Sequence, residues 1–185
     1  MGCSSACKSF SRFTDAIIFI LRSKYNITKV VKYLDDFLFV GKTKQDCLHA
    51  LACFTELCSL IGVPIAHDKT EGPSKSLTFL GYHIDTQRMV LSIPKEKIVD
   101  YSLLIHETLE KDYLTLRELR SLIGKLVFVT GVINIGRCFL RRLINLKIGK
   151  THPACRIPIN AEAKDDLKLW LEFLDSFNGK SLLFR

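Results

Sequence analysis

Two stretches in the first third of the chain carry apolar residues at helical spacing. Ser4 and Ser5 are predicted N-cap residues of a helix that continues to about residue 23. Thr43 and Asp46 have the spacing of a capping box and open a second helix. The apolar positions are Phe10, Phe13, Ile17, Ile20 and Leu21 in the first helix, and Leu48, Leu51, Phe54, Leu57 and Leu60 in the second.

Between these helices, β-favouring residues surround two adjacent aspartates. Residues 28–33 and 37–41 predict the strands of a hairpin, with Asp35 and Asp36 at its tip. An acidic turn alone would explain the pair, because Asp hydrogen-bonds to its own backbone. The flanks are nevertheless too apolar for an ordinary solvated loop, and adjacent carboxylates repel each other unless a cation is bound. Oxygen ligands suit Mg²⁺, so the tip is also a candidate metal site.

The pattern changes twice more towards the end of the chain. Residues 77–80, 82–85 and 89–92 predict short strands. Beyond Pro94 the apolar period is helical, and Thr115 and Glu118 form a second capping-box pattern. An irregular linker is predicted at about 152–158, followed by an amphipathic helix that carries Trp170. The predicted fold class is α+β.

Composition narrows the function classes. The chain is 48% hydrophobic, which argues against disorder, and its net charge of +8 suits a polyanionic partner as well as it suits a soluble basic protein. An odd count of seven cysteines without regular pairing argues against disulfides and zinc. No signal peptide or transmembrane segment is predicted, which indicates an intracellular protein of cytoplasm or nucleus without a membrane partner.

Four ordered segments carry a family resemblance. They are a Gly-led helix start at 2–10, Tyr33-Leu34-Asp35-Asp36, the segment 62–70, and Phe79-Leu80-Gly81-Tyr82. In this order they resemble motifs B, C, D and E of reverse transcriptases, particularly those of DIRS-type and related retroelements that encode a tyrosine recombinase. The resemblance implies a partial polymerase palm at 1–93, a helical thumb at 94–150, and a linker with the start of a connection or ribonuclease-H-like region at 151–185.

The resemblance also implies roles for these residues. The reaction would transfer a nucleotide from a dNTP to a primer 3′-hydroxyl on an RNA or DNA template, by two-metal catalysis with Mg²⁺ or Mn²⁺. Asp35 would be a direct metal ligand, and Asp36 would be less directly engaged. Lys69 would donate a proton to the leaving pyrophosphate, with a solvated surface lysine as the alternative. Nucleotide or template contacts would come from Gly2, Ser4, Ser5, Tyr33 and Leu34, and the primer grip from Phe79, Leu80, Gly81 and Tyr82.

Basic residues concentrate in the predicted thumb. Residues 137–156 are almost without acidic side chains, which favours contact with a nucleic-acid backbone. Solvated faces of amphipathic helices are the alternative. The candidate residues are Lys125, Arg137, Arg141, Arg142, Lys147 and Lys150.

The family's motif A aspartate and its fingers would lie upstream of Gly2. We therefore expect these 185 residues alone to have little or no polymerase activity, and an upstream part or another subunit to supply what is missing. A non-catalytic module that binds primer-template and a decayed structural remnant are the alternatives. The catalytic constellations of a ribonuclease or a recombinase are not visible in the sequence.

Overall fold

A computed structural model describes residues 5–182, and the chain divides into two compact units between Lys75 and Ser76. The division differs from the predicted boundary after residue 93, since it groups residues 76–93 with the later helices. The palm and thumb boundaries themselves stay a prediction. None of the helices within residues 5–182 is long and apolar enough to cross a membrane.

The first unit consists of two helices and a hairpin. In chain order these are helix α1 (Ala6–Lys24), strand β1 (Val30–Tyr33), strand β2 (Asp36–Phe39), helix α2 (Lys44–Leu60) and a 3-10 turn (His67–Lys69). The strands are antiparallel and pair Val30 with Phe39 and Tyr33 with Asp36. The core is built on α1 and α2, and the ring of Phe54 packs against the rings of Phe37 and Phe39 at 4.8 and 5.3 Å.

The starts of the two helices differ from each other. The predicted capping box of α2 is confirmed: Thr43 Oγ1 accepts from the Asp46 N–H at 3.1 Å, and Asp46 Oδ2 accepts from the Thr43 N–H at 2.9 Å. These hydrogen bonds, led by the one from the Thr43 backbone, lower the pKa of Asp46. The N-cap of α1 lies at Ser5, as predicted, but Ser5 has helical backbone angles and its side chain makes no capping hydrogen bond. Ser4 lies outside the described residues.

The second unit places a small sheet beside a helical core. Its antiparallel sheet has the order β3-β4-β5-β8, and strands β6 and β7 form a separate pair. The strands are β3 (Ser76–Phe79), β4 (Tyr82–Asp85), β5 (Val90–Ser92), β6 (Tyr113–Thr115), β7 (Arg156–Pro158) and β8 (Lys180–Ser181). The helices are α3 (Lys95–Leu109), α4 (Leu116–Val129), α5 (Arg141–Leu146) and α6 (Ala161–Ser176), with a 3-10 segment, Asn134–Leu140, before α5.

The second predicted capping box, at the start of α4, is also confirmed. Glu118 accepts hydrogen bonds from the N–H and the hydroxyl of Thr115, both at 2.8 Å, and from Lys111 at 3.0 Å. The backbone hydrogen bond from Thr115 makes the largest contribution to the low pKa of Glu118, about 2. Since an ionised acid here caps the positive end of the helix, the box fixes where α4 begins.

The last helix belongs to the same core as the helices before it. Trp170 on α6 is fully buried together with Leu119, Leu126 and Leu143 of α4 and α5. Residues 156–158, predicted as part of an irregular linker, instead form β7 and pair with β6. The Asn178 side chain bonds both the N–H and the carbonyl of Ile93, at 2.8 and 2.9 Å. Residues 156–181 are therefore an integral part of the second unit, and a connection region starting at 151 stays a prediction.

Gly136 offers a test of this core. A Cβ there would lie 2.6 and 2.8 Å from ring carbons of Trp170, closer than real Cβ contacts come. We expect Gly136→Ala to lower the free energy of unfolding by about 1–3 kcal/mol through overpacking. Urea denaturation of the 185-residue polypeptide measures this change.

Gly124 is the matched control, because it lies on the exposed side of α4 and a Cβ there would meet nothing within 4 Å. Gly124→Ala should raise the free energy of unfolding by roughly 0.5–1 kcal/mol, since alanine favours helix over glycine. Equal effects of the two substitutions would contradict the close packing of Gly136 against Trp170.

Candidate active site and nucleic-acid interface

The aspartates lie at a two-residue turn between β1 and β2. Tyr33 pairs with Asp36, so Leu34 and Asp35 form the loop and Asp36 begins the second strand. Of the two loop residues only Leu34 has a positive φ, +54°, as in a type II′ turn where glycine is usual. The predicted hairpin is confirmed, and its tip lies one residue earlier than the pair Asp35-Asp36 suggested.

The left-handed backbone of Leu34 makes this turn strained. For a residue with a Cβ the conformation costs roughly 1–2 kcal/mol. Packing does not impose it, because Tyr33 and Leu34 are 59% and 37% exposed. Strain at an exposed tip, beside two carboxylates, is a common feature of functional turns.

Asp35 and Asp36 are both exposed to solvent. Mg²⁺ takes oxygen ligands and is commonly bound by one or two carboxylates together with waters and phosphate oxygens. The two aspartates therefore offer the type of ligand that this ion prefers. Within residues 5–182 no group of three or more His, Cys, Asp or Glu side chains comes together as a metal site. The hairpin therefore supplies a pair of oxygen donors that a substrate or a further carboxylate would have to complete.

The other predicted nucleotide contacts lie partly outside the described residues. Gly2 and Ser4 fall outside them, whereas Ser5 is exposed at the start of α1. Lys69 is exposed on the 3-10 turn His67–Lys69, where its N–H donates to the carbonyl of Ala66 at 3.1 Å. Its proposed proton transfer stays a prediction.

The predicted primer grip forms a second tight hairpin. Phe79 pairs with Tyr82, and the loop residues Leu80 and Gly81 both have positive φ, +50° and +81°. Positive φ at both central positions is typical of a type I′ turn, which matches the twist of antiparallel strands. Gly81 thus lies in a hairpin turn.

This turn is fixed to the end of helix α4. The Tyr82 hydroxyl donates to the carbonyl of Phe128 at 2.8 Å, and the two rings stack with centroids 4.3 Å apart. The Lys97 ammonium lies 4.6 Å above the Phe128 ring and donates to the Gly81 carbonyl at 3.4 Å. Burial raises the pKa of Tyr82, so its hydroxyl stays protonated as a donor. Sequence reasoning missed this anchor, whose partners are far apart in the chain.

The predicted nucleic-acid contacts are not equally available. Arg137, Arg141 and Lys150 are exposed, and Lys147 is partly buried. The Lys125 ammonium lies 5.7 Å above the ring of Tyr101.

Arg142 is already engaged within the protein. Its guanidinium donates to buried Asp166 at 2.7 Å and lies 3.8 Å from Glu162. Since a buried carboxylate needs a partner, this pair ties α5 to α6.

Sequence reasoning also missed Lys32, on β1 directly before Tyr33. Its ammonium is bound by residues of α1, and its side chain is largely buried. The available signal was a lysine at an inward position of a strand among apolar neighbours.

Residues 1–84 match the family described as reverse transcriptase (RNA-dependent DNA polymerase). The matched residues contain the Tyr33-Leu34-Asp35-Asp36 hairpin and the Phe79–Tyr82 turn. This match agrees with the resemblance seen in the motifs, while the likeness to DIRS-type elements stays a prediction.

Individual proteins and solved structures show the same similarity to reverse transcriptases. "Protein P" of Woodchuck hepatitis B virus (isolate 2) is 24% identical over 119 residues, covering 56% of this chain and 13% of that protein. The foamy viral protease-reverse transcriptase in complex with dsDNA superposes with a TM-score of 0.70 at 20% identity, over 100% of this chain and 35% of that one. The same enzyme in complex with an RNA/DNA hybrid gives 0.68 at 20% identity, over 94% and 22%.

These superpositions confirm the α+β fold, with its antiparallel sheets and helical second unit, as that of reverse transcriptase polymerase domains. The chain spans about a third or less of each relative's length.

The anchor of the primer-grip turn can be tested directly. Tyr82→Phe keeps the stacked ring and removes the hydroxyl that satisfies the Phe128 carbonyl. We expect the free energy of unfolding to fall by about 1 kcal/mol. Tyr113→Phe, at a residue that is 46% exposed, should change it by less than about 0.5 kcal/mol. Equal changes in urea denaturation would show that the hydroxyl of Tyr82 contributes nothing.

Proposed function

We propose that this chain is part of a reverse transcriptase, which transfers nucleotides from dNTPs to a primer 3′-hydroxyl on an RNA or DNA template. The single observation that carries the proposal is the exposed Asp35-Asp36 pair at a strained two-residue turn, within the segment that matches the reverse transcriptase family. A two-residue hairpin turn of this type takes a positive φ at its first loop residue in any case, so the proposal rests on the carboxylate pair together with the family match.

Each hairpin residue has a defined task in this proposal. Asp35 and Asp36 would hold Mg²⁺ or Mn²⁺. A bound ion would neutralise charge during in-line attack on the α-phosphate, which depends on positioning and electrostatics more than on covalent chemistry. Tyr33 and Leu34 present exposed apolar surface to the primer end or the nucleotide. Lys69, an exposed cation, donates a proton to the leaving pyrophosphate.

The second unit would hold the nucleic acid. The Phe79–Tyr82 turn presents its backbone to the primer terminus, and the anchor on Phe128 keeps that turn in place. Exposed Arg137, Arg141 and Lys150 bind phosphates on the duplex. The similar foamy viral structures, solved with dsDNA and with an RNA/DNA hybrid, support this assignment.

These 185 residues alone would polymerise poorly. No Asp or Glu precedes Asp15 in the sequence, so a further metal-binding carboxylate before motif B has to come from an upstream segment or another subunit. The order and the residues of the motifs suggest a retroelement of the DIRS type, which is the proposed origin of this chain.

Primer extension tests the catalytic proposal. The chain, joined to an upstream fingers and motif A segment of a related reverse transcriptase, should extend a DNA primer on an RNA template when Mg²⁺ is present. The polypeptide of 185 residues alone should extend it weakly or not at all. Asp35→Asn in the extended form should lower the rate by at least ~10²-fold, since charge stabilisation of the reacting phosphate is lost.

The control for this experiment is Glu56→Gln, at an exposed carboxylate of α2. It removes the same charge from the same unit and should leave the rate unchanged. Extension that survives Asp35→Asn would contradict the role of the hairpin. Extension by the short polypeptide would contradict the need for a further carboxylate.

The second candidate function is a module that binds primer-template without chemistry. The exposed cations of residues 137–156, without an acidic residue among them, favour it. Salt-dependent binding with no nucleotide incorporation, even in the extended form, would select this function over catalysis.

Binding to a DNA duplex should depend on salt through the exposed arginines. Arg137→Gln and Arg141→Gln should each lower the slope of log affinity against log salt by about 0.9, because each lost phosphate contact releases one counterion fewer. Fluorescence anisotropy over a salt series measures these slopes.

Two variants serve as controls. Lys168→Gln removes a cation that pairs with Asp165 on α6 and should leave the slope unchanged. Arg142→Gln should act on stability, since it leaves buried Asp166 without its partner. Equal slopes for all four variants would exclude a phosphate site formed by Arg137 and Arg141.

A further inference from the structure

Lys32 occupies a position where packing alone would favour an apolar side chain. It lies on β1, with Val30 and Lys32 on the inner side of the strand and Val31 and Tyr33 exposed. The Lys32 side chain is only 14% exposed. Burying an ammonium is unfavourable unless polar groups surround it. A lysine held here therefore has a specific set of partners.

Those partners all belong to one turn of helix α1. The Lys32 ammonium donates to the Ser11 carbonyl at 2.7 Å, to the Thr14 hydroxyl at 2.7 Å and to the Ser11 hydroxyl at 3.1 Å. It also lies 2.9 Å from the carboxylate of Asp15. With its three protons provided with acceptors, the ammonium can hold only one orientation.

The contact joins two elements that bear on the candidate active site. Lys32 is the residue directly before Tyr33, three positions from Asp35. Helix α1 begins at the segment that resembles motif B, so its rotation and axial position set where that segment lies. A hydrogen-bonded ammonium fixes both, whereas an apolar contact would allow sliding because it is non-directional.

Stability alone gives a weak reason for this lysine. Asp15 is 65% exposed and would be hydrated without it. The buried Thr14 hydroxyl has other acceptors, since it lies within hydrogen-bond distance of the Ser11 carbonyl at 3.0 Å and of the Phe10 carbonyl at 3.2 Å. Removing the ammonium therefore leaves no charge buried alone in this cluster.

We propose that Lys32 is a positioning residue, which locks helix α1 to strand β1 next to the Asp35-Asp36 turn and thereby sets the geometry of the nucleotide site. The inference rests on the proposed polymerase function. It assigns Lys32 no contact with the substrate, and it separates nucleotide binding, which depends on the first unit, from duplex binding by the second.

Steady-state kinetics of the extended protein test the functional part. Lys32→Met keeps the length of the side chain and removes the ammonium. We expect the KM for dNTP to rise about tenfold or more, because small displacements at a reacting centre can change rates by up to ~10²-fold. The dissociation constant for primer-template should change by less than about twofold, as the thumb contacts remain.

Matched variants separate positioning from charge and from general destabilisation. Lys29→Met removes an exposed lysine just before β1 and should leave the KM for dNTP unchanged. Asp15→Asn keeps three of the four partners of Lys32 and should raise that KM less than Lys32→Met does. An unchanged KM for dNTP in an active Lys32→Met protein, or a parallel loss of duplex affinity, would overturn the proposal.

Amide hydrogen exchange of the 185-residue polypeptide tests the coupling without requiring polymerase activity. Lys32→Met should speed exchange about tenfold or more in residues 11–15 and at the tip, residues 33–36, because both are held by the same contact. Exchange in α2 should stay as it is. No change at the tip would overturn the inference.

The two measurements keep the two proposals distinguishable. An inactive extended protein would count against the proposed function, and hydrogen exchange would then decide the coupling by itself. If the extended protein is active and Lys32→Met leaves hydrogen exchange at residues 33–36 unchanged, only the positioning role of Lys32 would be contradicted.

Discussion

The position of the two carboxylates depends on how the short β1–β2 hairpin is held on its helices. A hairpin of two four-residue strands is marginally stable in water unless one face is packed. Here Phe37 and Phe39 pack on Phe54 of α2, while Lys32 is bound by α1. The aromatic contacts bury apolar surface, and the hydrogen bonds of Lys32 fix the orientation of the hairpin on α1. Together they allow an exposed tip to keep a strained turn that its own strands could not maintain.

In the second unit, too, a packed core positions a tight turn. The helical core places α4, α5 and α6 around Trp170, and Gly136 allows the close approach of the 3-10 segment to that ring. The core in turn fixes the C-terminal end of α4, where Phe128 receives the Tyr82 hydroxyl and the Lys97 ammonium. The Phe79–Tyr82 turn thus takes its position from a helix and not from the short strands on either side of it.

Local features of this fold could be predicted from sequence, and contacts between distant residues could not. The Thr43–Asp46 and Thr115–Glu118 boxes depend on residues three apart, so the pattern contains all the partners. The hairpin also followed from a local pattern, β-favouring residues on both sides of two aspartates. Lys32 and Thr14 are 18 residues apart, and Tyr82 and Phe128 are 46 apart, so no local period indicates these pairs. At Ser5 residue preference located the N-cap, but it did not fix the backbone angles that a side-chain cap requires.

Charge shows the same limit in the basic segment 137–156. The sequence of residues 137–156 gives a run of cations in which Arg141 and Arg142 are equivalent neighbours. In the structure Asp166, 24 positions away from Arg142, binds that guanidinium, while Arg141 is exposed. Fewer cations are therefore available to a partner than the sequence suggests, because Arg142 already neutralises buried Asp166. A count of basic residues from the sequence alone overestimates the cations available to bind phosphate wherever a helix packs an acidic side chain against one of them.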